Sequence, residues 1–141
     1  MSEVSRKHLI FMLAGRRFAF DLAQIAEVEE PPLTWPIPMA PRCYIGAMNF
    51  HGTIVAVMDL AMFLGLPGDH VTEKLIVLDT RIAALAFQIE RVIRIVSVDQ
   101  ADIREGADGA FATARLNLPD GEATLLDAAA IAEHAGETIN G

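Results

Sequence analysis

The chain carries a diverged copy of part of itself. Residues 18–28, FAFDLAQIAEV, lie over residues 85–95, LAFQIERVIRI, without a gap. Apolar falls on apolar at Phe18/Leu85, Phe20/Phe87, Leu22/Ile89, Ile25/Val92 and Val28/Ile95. Farther on, Gly52…Asp59-Leu60 meets Gly121…Asp127-Ala128 with one residue dropped. A repeat on this scale means two similar supersecondary units in one chain, and any fold must accommodate both.

Each unit reads as short strands followed by a capped helix. In the first, Gly46–Phe50 and Thr53–Met58 are strands around His51-Gly52, a tight turn in which glycine supplies a positive φ. Asp59 stands where its carboxylate caps a short helix, Leu60–Leu64, which Gly65 and Pro67 stop. Upstream, Leu9–Leu13 and Arg17–Phe20 flank Ala14-Gly15, Asp21–Gln24 makes a turn, and Ile25–Glu30 alternates so that Glu27 and Glu29 share an exposed face. The loop 31–41 has prolines at 31, 32, 36, 38 and 41 with Trp35 and Met39 among them, a stiff, extended segment suited to covering a barrel end.

The second unit offers strands at Lys74–Leu78, Arg81–Phe87 and Val92–Val98, the last apolar on both faces and so expected to be covered on both. An acidic loop, Asp99–Gly109, leads to a hairpin of Ala112–Leu118 and Glu122–Leu126. Asp127 then caps a helix, Ala128–Ala135, that Gly136 ends. Short strands, glycine turns and little helix predict a mainly β chain of two small five-stranded barrels, since closure removes vulnerable edges. The expected arrangement is a single domain, residues 1–141, with a pseudo-two-fold. One barrel spans roughly 15–70 and the other roughly 75–130, with terminal segments packing across.

Composition narrows the function. A net charge of −8 repels a phosphate backbone, so nucleic acid is not an expected partner. A single cysteine, Cys43, excludes an internal disulfide and fits a reducing cytoplasm. No apolar run approaches the roughly twenty residues of a membrane helix. His8, His51, His70 and His134 do not share a metal-ligand spacing on one element, no glycine-rich loop precedes a helix, and Ser2, Ser5 and Ser97 lack a nucleophile's setting. Asp99, Asp102, Glu105 and Asp108 match no calcium loop and read as solvated. The expectation is therefore a non-enzyme with no catalytic, cofactor or metal residue.

Over residues 8–134 the sequence resembles the CheW-like domain family, adaptors of bacterial chemosensory arrays. The resemblance is carried by FAFDLAQIAEV at 18–28, PIPMAP at 36–41 and Gly46-x-x-Asn49-x-x-Gly52 with its run to Met58-Asp59-Leu60. Leu64-Gly65-Leu66, LAFQIERV at 85–92 and Leu125-Leu126-Asp127 complete it. It implies SH3-like barrels and a cytoplasmic, non-catalytic scaffold. One surface would hold the cytoplasmic tip of a chemoreceptor and another the regulatory domain of a CheA-type histidine kinase. The partner-binding residues it implies are Ile25, Glu27, Val28, Asn49, His51 and Val92. Where the family typically reads Asn-Leu-Arg-Gly, this chain reads Asn49-Phe50-His51-Gly52. The resemblance places the arginine against the glutamate matching Glu27, so a His51–Glu27 pair is expected. Imidazole is shorter than guanidinium and cannot grip a carboxylate with two parallel bonds. The alternatives are an adaptor for a non-flagellar chemosensory-like kinase system, or a barrel protein that binds or hydrolyses a small ligand between its halves.

Overall fold

The computed structural model describes residues 5–68, 71–107 and 109–140. Ser2, His70 and Asp108, named above, lie outside them. The first unit runs through β1 (Ser5–Leu13), β2 (Arg16–Asp21), a 3-10 turn (Leu22–Gln24), β3 (Ile25–Glu29), β4 (Tyr44–Phe50), β5 (Thr53–Asp59) and α1 (Leu60–Phe63). The second comprises β6 (Lys74–Leu78), β7 (Leu85–Ile89), β8 (Arg91–Asp99), β9 (Ile103–Glu105), β10 (Ala112–Leu118), β11 (Gly121–Leu126) and α2 (Ala128–Asn140).

These strands form two sheets, ordered β8-β1-β2-β11-β10-β9 and β3-β6-β7-β5-β4. The chain is thus mainly β, as expected. Matching β1, β2, β3, β4 and β5 to β6, β7, β8, β10 and β11 turns one order into the other, with β9 as an added sixth strand. The match holds in register: β2 runs parallel to β11 with Phe18 opposite Thr124, and β7 runs parallel to β5 with Leu85 opposite Ala56.

The pairing overturns the expected boundary between a unit at roughly 15–70 and another at roughly 75–130. The hairpin β1–β2 joins the sheet of β8–β11, while β6 and β7 join β3–β5. Each half lends its leading hairpin to the other. The repeat at 18–28 and 85–95 straddles this exchange, because its first strand and its second belong to different sheets.

Period-2 alternation then gives every shared hairpin two buried faces. Leu9, Phe11, Phe18 and Phe20 turn to a large core between the sheets, where Met58, Ile76, Leu78, Leu85, Phe87 and Ile131 meet them. On the other face, Ile10 and Ala19 meet Val98, Leu116 and Ala123 in a smaller core. In the second sheet, Leu75, Val77 and Ala86 meet Met48, Phe50, Val55 and Val57. Val98 of β8 and Leu116 of β10 share one small core, and Leu75 of β6 and Met48 of β4 share the other, so both sheets bend round on themselves.

Local departures have local causes. β7 starts at Leu85 rather than Arg81, because Asp79 accepts from the Arg81 amide at 2.9 Å and folds residues 79–83 into a turn. β8 is an edge strand, and Ile95 is 54% exposed rather than covered on both faces. α2 continues through Gly136 to Asn140; one glycine within a helix costs only about 1 kcal/mol. Both aspartates cap as expected. Asp59 accepts from the Met62 amide at 3.1 Å, and Asp127 from the Ala129 and Ala130 amides at 3.0 and 3.2 Å.

Candidate functional site

Asn49, Phe50, His51 and Gly52 close the β4–β5 hairpin. His51 and Gly52 have φ of +50° and +88°, two left-handed residues in succession, as the tightest hairpin turns require. The Asn49 side-chain carbonyl accepts from the Gly52 amide at 2.8 Å and fixes the turn. The Phe50 ring lies 4.4 Å from the imidazole, centroid to centroid, and limits its rotation.

β3, at one edge of the same sheet, brings carboxylates to this turn. Glu27 and Glu29 stand opposite Val77 and Leu75, which face the small core, so both glutamates lie on the side round which the sheet bends. There His51 Nε2 lies 2.9 Å from Glu27 Oε2, with the side chains 70% and 45% exposed. Glu29 completes the group: one donor atom from each of the three side chains lies within 4.8 Å of the others. Burial pushes the Glu29 carboxyl above the ordinary range. A hydrogen bond and charge repulsion from Glu27 add to this, against an opposing pull from His51.

The same latch recurs in the other sheet with its polarity reversed. The repeat places Glu27 over Arg94 and His51 over Asp120. Arg94 donates to the two Asp120 oxygens at 3.0 and 2.8 Å, and Arg17 donates to the Asp120 backbone carbonyl at 3.0 Å. Hydrogen bonding from Arg94 is the main reason that the Asp120 carboxyl is lowered to about 2. In both sheets an edge strand, β3 or β8, is thus tied by side chains to the turn of a hairpin, β4–β5 in one sheet and β10–β11 in the other.

The remaining residues singled out by sequence occupy distinct settings. Val28 is 41% exposed on β3, whereas Ile25 and Val92 are half-buried against the core between the sheets, Val92 from the other sheet. Asn49 is exposed and engaged with its own turn. His8 is buried, its Nδ1 3.1 Å from the Arg6 carbonyl, and His134 packs with Phe63 and Phe111. Cys43 is half-buried, and burial pushes its thiol up. The Trp35 segment bonds to Ala47 in both directions, at 3.0 and 2.8 Å, and so shields the β4 edge. Among the described residues, no helix is long and apolar enough to cross a membrane.

Alternation along β3 already set Glu27 and Glu29 on one exposed face, but no spacing joined His51 to both, because the β4–β5 turn meets this face only when the sheet bends. The Arg94–Asp120 pair was also missed, although the repeat already aligned it with Glu27 and His51.

A family model described as the CheW-like domain matches residues 7–136. The sequence is 21% identical over 109 residues to a chemotaxis protein CheW of Bacillus subtilis, covering 76% of this chain and 70% of that protein. It is 29% identical over 103 residues to a chemotaxis protein CheW of Thermotoga maritima, covering 71% and 68%. In structure it is similar to a scaffolding protein, TtCheW, from Thermoanaerobacter tengcongensis. The TM-score is 0.80 at 20% identity, covering 88% of this chain and 90% of that one.

Proposed function

Because the chain belongs to the CheW-like domain family, we propose that it is a non-catalytic adaptor of chemosensory signalling. It couples the cytoplasmic tip of a chemoreceptor to the regulatory domain of a CheA-type histidine kinase in the cytoplasm. The observation that carries this reading is the family match over residues 7–136, together with a fold similar to that of a scaffolding protein. The interior supports it. Apolar side chains from both sheets and both helices fill the space between the halves, where a hydrolytic or ligand-binding protein needs converging polar groups.

In this reading the edge of β3 and the β4–β5 turn face a partner. Glu27 and His51 present a polar contact, and exposed Val28 and Ile54, 41% and 64% accessible, supply apolar area. Affinity purification of the chain from its native cell tests the assignment. Recovery of a CheA-type kinase and a chemoreceptor is expected; reproducible recovery of neither overturns it.

A further inference from the structure

We propose that Glu27, Glu29 and His51 form a binding site for a divalent cation of the zinc type. Two carboxylates and an imidazole are a donor set that zinc and its neighbours accept, and their donor atoms lie within 4.8 Å of one another. Around a tetrahedral ion with bonds of about 2.0 Å, donors stand roughly 3.3 Å apart. The difference is closed by rotation of the glutamate side chains. The imidazole is already directed by the left-handed turn, the Asn49 bond to Gly52 and the Phe50 ring.

Charge favours a cation at this point. Two carboxylates share one imidazole, so the cluster carries excess negative charge whether or not the ring is protonated. The nearby Lys74 ammonium is engaged by Glu30 at 3.1 Å. A dication satisfies both carboxylates at once. The imidazole biases the site toward zinc, nickel or cobalt and away from magnesium and calcium, which prefer oxygen alone. Three protein ligands leave a fourth position for water or for a donor from another molecule. Because Glu27 and Glu29 come from edge strand β3 and His51 follows the opposite edge strand β4, the ion fastens the seam along which this sheet is open.

The site goes beyond the adaptor reading and does not depend on it, since binding is measured on the isolated chain. The 141-residue chain, with ¹⁵N-labelled histidines, is titrated with zinc chloride and separately with magnesium chloride. Calorimetry runs in parallel. Saturable one-to-one zinc binding with a shift at His51 Nε2 is expected, and magnesium leaves that nitrogen unmoved. Glu29→Gln and His51→Arg keep the shape and the turn respectively, yet each removes a direct ligand. Each should weaken zinc binding by at least the roughly 10–100-fold that outer-shell changes cost. Zinc binding unaltered in both folded variants, a shift confined to another histidine, or no change at His51 up to millimolar zinc overturns the site.

Discussion

The rings of Phe20 and Phe87 stack 5.7 Å apart, centroid to centroid, at an interplanar angle of 22°. The repeat makes these two residues equivalent, and the sequence places them in separate cores. They instead meet across the pseudo-symmetry axis, each fully buried, with Phe11 stacked on Phe20 at 5.1 Å. Truncating either to alanine should cost about 3–5 kcal/mol. Because the rings touch, the double variant should depart from additivity by roughly 0.5–1.5 kcal/mol. Urea denaturation of the two single variants and the double variant measures both quantities; strict additivity would contradict the stacked arrangement.

Gly46 is required by an approach of backbone to backbone. A Cβ at this position would lie 2.5 Å from the Trp35 carbonyl oxygen, whose bond to the Ala47 amide seals the β4 edge. Gly46→Ala must therefore push the Trp35 segment away and break that pairing. The expected loss is about 1–3 kcal/mol, with faster hydrogen exchange at the Ala47 and Trp35 amides. Retained protection at both amides would show that the loop yields without unpairing.

Asp120 makes part of the stability sensitive to acid. Its carboxyl is held at about 2 against an ordinary 3.8, chiefly by the Arg94 hydrogen bonds. A lowered folded value stabilises the fold above the unfolded value, and this contribution disappears as pH falls from about 3.8 through about 2. Asp79, held at about 2 mainly by its hydrogen bonds with Arg81, acts in the same window. In Asp120→Asn the decline in urea midpoint between pH 5 and pH 2 should be shallower than in the wild type. Equal slopes would remove Asp120 from the acid response.

His51 stands where the backbone prefers another residue. A left-handed φ of +50° followed by glycine favours Asn-Gly, so His51→Asn should keep or slightly raise stability. His51→Val should lose about 1–2 kcal/mol from the same strain. Thermal unfolding of the two variants gives the comparison. Loss of the exposed ion pair adds no more than about 1 kcal/mol in either case.

His51→Arg tests the adaptor reading at the same turn. Guanidinium can grip the Glu27 carboxylate with two parallel bonds, which imidazole cannot. Binding to a chemoreceptor tip, measured by equilibrium titration, should become tighter. An unchanged or weaker affinity would argue that the turn suits a different partner.

The strands were legible because period-2 alternation, glycine turns and capping aspartates are local signals. Which sheet each strand joins was not, since β1–β2 and β6–β7 are apolar on both faces and satisfy either pairing equally well. Sequence equivalence between Phe20 and Phe87 says that they do the same job, not that they do it apart. β9 escaped notice because three residues in a polar loop, Ile103–Glu105, are too few to show an alternating pattern. Glu27 and His51 were named through the family resemblance, and the structure brings them into contact. Glu29 already shares a strand face with Glu27, and it is the bend carrying this edge strand over to the turn that brings His51 within reach of both.

The exchanged hairpins also govern when the protein can become itself during synthesis. Phe18 pairs with Thr124, so β2 emerges from the ribosome more than a hundred residues before the strand that flanks it. At ordinary elongation rates that interval is roughly 5–20 s, far longer than a hairpin needs to form. Throughout it the Leu9, Phe11, Phe18 and Phe20 face has no completed core to enter, and the outer edge of β2 is open to strangers. A chain halted before β11 cannot finish its first sheet, and two nascent copies on one messenger could exchange hairpins with each other. The long-range reciprocity that unites the mature halves makes the newborn chain dependent on the arrival of β11.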